Sequence, residues 1–398
     1  AVIGAVALLW LFLAPYHGWM VVLSFTAMWI AAGLVAWRAS QYSVTSRRFE
    51  ATKDDVRVLR REARRTWRYF ETFVTAEEHD LPPDNFQEDP KPLVARRTSP
   101  TNMGLYLLSV VSAYDFGWIG LQDAVTKIEA TMKTMEALPK YRGHFHNWYS
   151  TADLSSLHPV YVSTVDSGNL AGHLIALASA CQYWRTKARD AQGWRDGVED
   201  CLNLALEEVQ ILGRLQLPEM FNARALSESF RMLLDNTRNT DFSQAELRSR
   251  LGVLRQHLEA LSVTLTLPSE IPASQEGVLS DLLFWVNAAI HSGESHERDL
   301  APRASAAIDS RLSDLEETSR SMAMAMEFGF LRNSERKLLS IGFVVDEGTL
   351  DDNCYDLLAS EARLAVFFAI AKGDIPAREW FRLGRPITSV SHGEALVS

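Results

Sequence analysis

Three loops of this chain combine carboxylates, amides and aromatic rings within a few residues. They read PPDNFQEDP at 82–90, RGHFHNWY at 142–149 and TVDSGN at 164–169. A sugar presents apolar C–H faces and a rim of hydroxyls, so its binding site needs flat rings beside fixed hydrogen-bonding groups. One such loop would carry little information. Three of them, each beside a predicted helix, indicate a carbohydrate-binding cleft.

The carboxylates of the first loop permit three interpretations. Asp84, Glu88 and Asp89 could bind sugar hydroxyls or form an acid–base pair, since glycoside chemistry uses two carboxyl groups flanking the bond. Alternatively, Asp84 and Asn85 make turns and cap helices. Residue types alone leave these interpretations open.

The second loop offers imidazoles and aromatic rings. His144 and His146 alternate around Phe145 and would share a face of an extended segment. No further ligand follows at a spacing typical of a metal site, so we predict no metal and no cofactor. Trp148 and Tyr149 are either a stacking platform for sugar or part of the core.

The third loop leads into a helix that begins near Leu170, where Asp166 or Ser167 would be a suitable N-cap. A second helix is predicted at 354–372, apolar on nearly all sides, with Glu361 inside it. A buried carboxylate needs a partner, so Glu361 either pairs with an arginine such as Arg382 or serves a substrate.

The elements that must position these loops are mostly helical. The spacing of apolar residues predicts helices near the following ranges: 103–114, 121–138, 170–184, 194–212, 224–236, 244–262, 277–291 and 299–328. Residues 337–345 predict a short strand or hairpin. The acidic stretch 185–315 reads as outer helices or as an insertion. The fold class expected is all-α, with functional loops at one end of successive helical hairpins.

The amino-terminal end is apolar at 1–14 and at 19–37, with a turn between them at 15–18. This pattern predicts a transmembrane helical hairpin at 1–38 with a truncated first helix; a signal peptide and a buried helical pair are the alternatives. A basic juxtamembrane helix or linker follows at 39–75, and would face acidic lipid headgroups or present a solvated face. The excess of arginine there places the remainder, 76–398, on the cytosolic side.

Composition narrows the class further. Hydrophobic residues make up 47% of the 398 residues, which is typical of a folded protein with a substantial core. The net charge of −10 argues against a nucleic-acid partner. Three cysteines, Cys181, Cys201 and Cys354, fit buried thiols in a reducing compartment.

Longer strings give a family resemblance. PPDNFQEDP at 82–90, TSPTNMGLYLLS at 98–109, YRGHFHNWY at 141–149, VDSGNLAGHL at 165–174, YDLLASEARLA at 355–365 and WFRLGRP at 380–386 resemble the cyclic β-1,2-glucan synthases. They match the glucoamylase-like region of those enzymes, from about Arg61 onward and with a diverged middle. His146 stands where that family's motif has an aromatic residue.

The resemblance implies that 76–398 is the amino-terminal part of an (α/α)6 barrel at a bacterial inner membrane. The complete barrel would close β-1,2-glucan into a ring by retaining transglycosylation. Its partners would be the glucan, membrane lipid, and the rest of the polypeptide with an upstream glycosyltransferase and a downstream phosphorylase-like region. A β-1,2-glucan endo-hydrolase and a non-catalytic membrane-anchored glucan-binding module are the alternatives.

The family's catalytic glutamates are expected in motifs that follow WFRLGRP and lie beyond Ser398, so this segment is expected to be inactive alone. Within the chain, Asp166 and Glu361 are the catalytic candidates. The predicted glucan contacts are Asp84, Asn85, Glu88, His144, Asn147, Trp148, Asp166, Asn169, Tyr355 and Glu361.

Overall fold

The computed structural model describes residues 19–39, 51–186, 193–214, 222–238, 273–299, 304–390 and 393–397, together with isolated positions between 243 and 259. Its long helices are α1 Trp19–Ala39, α2 Lys53–Phe73, α3 Pro100–Asp115, α4 Leu121–Ala137, α5 Thr164–Thr186, α6 Trp194–Leu212, α7 Ala223–Arg238, α8 Ala273–Asp299, α9 Ala304–Met324 and α10 Arg363–Lys372. Mostly helical structure is therefore confirmed. The helix predicted at 244–262 falls largely outside the described residues.

Short antiparallel strands connect the helices. They are β1 Phe86–Gln87, β2 Leu93–Val94, β3 Arg97–Thr98, β4 Lys140–Tyr141, β5 His144–Phe145, β6 Tyr149–Ser150, β7 Tyr161–Ser163, β8 Arg332–Asn333, β9 Leu338–Leu339, β10 Gly342–Val344, β11 Thr349–Leu350, β12 Ile387–Val390 and β13 Gly393–Leu396. The three-stranded sheet has the order β11-β10-β7, and the other sheets are pairs. The predicted strand or hairpin at 337–345 is confirmed by β9 and β10.

The chain divides into two units, 1–57 and 58–398. Helix α1 lies in the first unit. Among the described residues, no helix combines the length and the apolar character needed to cross a bilayer. The transmembrane hairpin predicted at 1–38 is therefore wrong on this finding. A hairpin needs two spanning helices, and its first predicted helix, at 1–14, lies outside the described residues.

The larger of two hydrophobic cores is built by α3, α4, α5, α9 and α10 with the small sheets. Helices α3 and α5 run in the same direction, because Thr101 contacts Asp166 near their starts and Tyr114 contacts Trp184 near their ends. Both therefore begin at the same end of the core. The (α/α)6 barrel itself stays a prediction.

The second core belongs to α6, α7 and α8. Phe230 is fully buried in this second core and Trp285 almost fully. Helix α9 does not contribute to it and packs its apolar side into the larger core instead. The stretch predicted as outer helices or as an insertion thus contains a hydrophobic core of its own.

Helix α2 packs Trp67 into the larger core and binds helices of the second core through its arginines. Arg60 binds Asp200 of α6 at 2.7 Å, and Arg68 binds Asp281 of α8 at 2.5 Å. Between them, the guanidinium of Arg64 is buried. The basic pattern predicts a helix face turned to lipid headgroups or solvent, whereas Arg60 and Arg68 pair with carboxylates of the same chain.

The helix predicted at 354–372 is wrong in its first half. Helix α10 begins at Arg363, because the preceding backbone is used elsewhere: Tyr355 N–H donates to Leu339 O, and Leu358 N–H donates to Gly384 O. Those bonds hold the segment extended between two strand-like stretches. Glu361 consequently lies in a turn and is exposed, so its predicted place inside an apolar helix is corrected.

Candidate functional site

Asp166 is positioned by the junction of β7 with α5. The Thr164 hydroxyl donates to Ser340 O at 2.7 Å and ties the start of α5 to the segment between β9 and β10. Ser163 Oγ accepts from Asp166 N–H at 3.2 Å, so Ser163 takes the capping role expected of Asp166 or Ser167. The carboxylate of Asp166 is therefore free to point out of the first turn toward other segments.

Side chains from two other segments bind the Asp166 carboxylate. The Thr101 hydroxyl, in the first turn of α3, donates to Oδ1 at 2.6 Å, and Asn169 Nδ2 reaches Thr101 Oγ1 at 3.4 Å. The Asn147 amide, in the orientation that satisfies both of its neighbours, donates to Oδ2 at 3.2 Å and accepts from Trp148 Nε1 at 3.2 Å. Both oxygens of Asp166 are thus held by neutral donors.

Asp84 is held in a similar way from the other side. Its Oδ2 accepts from Arg97 Nη2 at 2.9 Å and from Asn85 Nδ2 at 3.0 Å, and its Oδ1 accepts from Asn102 Nδ2 at 3.4 Å. The guanidinium carbon of Arg97 lies 4.7 Å from the centroid of the Trp148 ring. Arg97 therefore connects the first loop to the second.

Tyr355, in the segment before α10, lies near both Asp166 and Glu361. Burial and the negative charges of Asp166, Glu361 and Asp351 raise the pKa of the Tyr355 phenol. Close packing of α5 on α10 produces this approach, since a Cβ placed on Gly168 would lie 2.4 Å from the Ala365 Cβ. Only glycine permits that contact.

We name the connected group the Asp166 cluster. It contains Asp84, Asn85, Arg97, Thr101, Asn102, Asn147, Trp148, Asp166 and Asn169, with Tyr355 and Glu361 beside it. Most of these side chains are half-buried, whereas Asn85, Arg97 and Glu361 are exposed. The Asp166 carboxylate accepts two of these bonds and has about four lone-pair sites, so it retains acceptors for hydroxyl groups beside the Trp148 ring.

His144 does not take part in the cluster. Its ring is fully buried against Phe328 and Phe330, and Nδ1 lies 2.8 Å from Ser167 Oγ. Burial lowers the pKa of His144 to about 4, which keeps the imidazole neutral near pH 7. A contact with glucan requires a side chain that the glucan can reach. The structure instead places His144 in the core, so it does not support the predicted contact.

Two further side chains that the sequence singled out also lie apart from the cluster. Glu88 is exposed, in the loop between β1 and β2. Tyr149 is fully buried and donates its hydroxyl to Pro139 O at 2.7 Å, so it belongs to the core and Trp148 alone remains a stacking candidate.

Sequence reasoning missed four residues of this region, namely Arg97, Thr101, Asn102 and Tyr161. The Ser99-Pro100 pair that begins α3 was a usable signal, because it places Thr101 and Asn102 in a first turn. Tyr161 packs its ring over Gly342, and burial together with Asp351 and Tyr355 raises its pKa to about 12. Nothing local marks Arg97 or Tyr161.

No protein-family model matches the chain. A curated relative, the cyclic beta-(1,2)-glucan synthase NdvB of Rhizobium meliloti (strain 1021), is 44% identical over 391 residues, covering 94% of this chain. The chain spans 13% of the length of that relative. The resemblance predicted from the sequence strings is therefore confirmed, and the chain is related to one segment of a cyclic β-1,2-glucan synthase.

Proposed function

We propose that the Asp166 cluster binds β-1,2-glucan and that this chain supplies part of the substrate cleft of a larger ring-closing synthase. The observation that carries the proposal is the placement of the Asn147 amide between two groups, 3.2 Å from Asp166 Oδ2 and 3.2 Å from Trp148 Nε1. It fixes a carboxylate acceptor, an amide and a flat ring side by side, as a sugar site requires. The relative is named for the synthesis of a cyclic β-1,2-glucan, which agrees with this substrate.

In this proposal Trp148 packs against the C–H face of a glucosyl unit, while Asp166 accepts hydrogen bonds from its hydroxyls. Asp84, whose oxygens already accept bonds from Asn85, Arg97 and Asn102, holds Arg97 in place. Both carboxylates are already held by protein donors, so binding requires little further ordering of these side chains. The side chains of the cluster bind and orient the glucan chain. Ring closure breaks one glycosidic bond and forms another without water, and in a retaining reaction it needs two carboxyl groups about 5–5.5 Å apart. We assign that pair to the remainder of the synthase, as the family resemblance implies.

Binding of linear β-1,2-glucan to the full-length synthase tests the proposal. Trp148→Ala is expected to weaken affinity by about 1–3 kcal/mol. Tyr183→Ala is the matched control, because Tyr183 is an exposed aromatic near the far end of α5. Isothermal titration calorimetry should show weakened glucan affinity for Trp148→Ala and parental affinity for Tyr183→Ala. Equal, unaltered affinities in both folded variants would overturn the assignment of the cluster.

Product analysis tests the reaction class. Rings made from linear glucan support transglycosylation, and mass spectrometry detects them as products lighter by one water than linear chains of the same length. Shorter linear chains alone would favour hydrolysis. Glucan binding without either product from the full-length protein would favour a binding module.

A further inference from the structure

Arg97 is placed beside the cluster by a short strand pair. Strand β3 pairs with β6, with Arg97 opposite Ser150 and Thr98 opposite Tyr149. Thr98 is buried and Arg97 exposed, as alternation along a strand requires. This register carries the Arg97 side chain outward next to Trp148, which immediately precedes β6.

The guanidinium of Arg97 makes two kinds of contact at once. Its Nε and Nη2 donate to Asp84 Oδ2 at 3.1 and 2.9 Å, and its Cζ lies over the indole of Trp148, 4.7 Å from the ring centroid. A planar guanidinium can stack on a ring and bind a carboxylate simultaneously, whereas the point charge of a lysine cannot reproduce both contacts.

We propose that Arg97 is a positioning residue that fixes the indole of Trp148 and directs the glucan to the face of the ring that Arg97 does not cover. This inference rests on the proposed function, because it assumes that Trp148 contacts the glucan. The indole is then held at two points, by Arg97 over one face and by Asn147 at Nε1. The glucan meets a ring whose orientation is set before binding.

The neighbouring Arg96 provides a control with the same charge and a similar exposure. Its Nε lies 3.1 Å from Glu78 Oε1, with the Arg96 side chain 65% exposed and that of Arg97 49% exposed. Removing either arginine changes the net charge equally. Of these two arginines, Arg97 is the one that lies over the Trp148 indole, so Arg97 and not Arg96 should affect stacking of the glucan on that ring.

The test is a double-mutant cycle for glucan affinity in the full-length synthase. Arg97→Ala is expected to weaken affinity roughly threefold or more, and Arg97→Lys to restore little of it. Arg96→Ala should leave affinity unchanged. In a Trp148→Ala background, Arg97→Ala should have no further effect, and thermal unfolding should show all variants folded. A purely structural role would lower the melting temperature without this coupling.

Each other outcome is decisive. Losses of glucan affinity that add up in the Arg97→Ala, Trp148→Ala double variant would overturn the positioning role. Full recovery of affinity in Arg97→Lys would also overturn it, since Arg97 would then act on the glucan through its charge alone. Loss with Trp148→Ala but not with Arg97→Ala would overturn this inference and leave the proposed function standing. No loss with either variant would overturn both.

Discussion

Thr101 donates its hydroxyl to Asp166 Oδ1 at 2.6 Å, although the two residues lie 65 positions apart and on different helices. The contact is possible because α3 and α5 both begin at the same end of the core. Thr101 is one of the two side-chain donors that hold the Asp166 carboxylate, and Asn147 is the other. The orientation of Asp166 therefore depends on a residue that carries no charge.

Replacing Thr101 with valine should weaken glucan binding without unfolding the protein. Valine keeps the branched shape and removes the donor, and a hydrogen bond to a charged group contributes about 1.5–3 kcal/mol. Thr101→Ser retains the hydroxyl and is the matched control. Glucan affinity is measured by calorimetry, with thermal unfolding alongside. Undiminished affinity of a folded valine variant would show that Asp166 needs no such support.

Removing Arg64 should strongly destabilise the joint between the two cores. Its guanidinium is 1% exposed, binds Glu71 at 2.7 Å and Cys201 Sγ at 3.3 Å, and lies over Trp118 and Trp285. Arg64→Ala leaves Glu71 without this partner and opens a cavity, at a cost of about 3–5 kcal/mol in the free energy of unfolding. Urea denaturation of the whole chain measures it.

The exposed pair of Arg57 with Asp54 supplies the comparison for Arg64. Their side chains are 60% and 87% exposed, so Arg57→Ala should change the free energy of unfolding by less than about 1 kcal/mol. Similar small losses for both arginine variants would contradict the role of Arg64 in joining the cores.

Acid should destabilise the protein partly through His144. Its pKa is lowered to about 4 in the fold, against about 6.5 in the unfolded chain. As the pH falls from 6.5 toward 4, the unfolded state takes up a proton that the folded state refuses, so stability decreases. The loss from this one group approaches about 3 kcal/mol at pH 4. Burial also lowers the pKa of His146 and His173, which adds to the same trend.

Comparison with His144→Gln isolates that contribution. The difference in unfolding free energy between the parent and this variant should shrink as the pH falls through the window from 6.5 to 4. His158→Gln serves as the control, because His158 is exposed beside Asp346. A parent-to-variant difference for His144 that does not change with pH would show that its imidazole titrates normally.

Helix α6 shows what local pattern alone can predict. Its predicted range, 194–212, matches the observed helix, because the buried Val198, Leu202 and Val209 repeat at helical spacing. The prediction at 354–372 failed for a non-local reason. Residues 354–358 form backbone bonds with 339–340 and with Gly384, and no property of the segment itself indicates those partners.

The same distinction holds for the site. Asp84, Trp148 and Asp166 were identified from loops rich in the chemistry of sugar binding, and the structure brings them into one cluster. Whether they contact glucan stays a prediction. His144 was misplaced because adjacency to Trp148 in sequence says nothing about burial. Arg97 was missed because its position beside Trp148 depends on the β3–β6 register, which pairs Arg97 with Ser150, 53 positions further along the chain.

Gly168→Ala should separate two helices and damage the site indirectly. An added Cβ would lie 2.4 Å from the Ala365 Cβ and 2.6 Å from its backbone, too close for either helix to stay in place. Overpacking of this kind costs about 1–3 kcal/mol. Since α10 begins shortly after Tyr355 and Glu361, moving it should also shift Tyr355 away from Asp166 and weaken glucan binding.

Gly277→Ala provides the opposite expectation within the same chain. Gly277 lies in helix α8 with nothing within 4 Å of an added Cβ, so alanine should stabilise the helix by about 0.5–1 kcal/mol. Chemical denaturation should therefore show opposite signs for the two glycine-to-alanine changes, and only Gly168→Ala should alter glucan affinity. A Gly168→Ala protein of parental stability and affinity would show that α5 and α10 can move apart freely, and that their close packing does not hold Tyr355 beside Asp166.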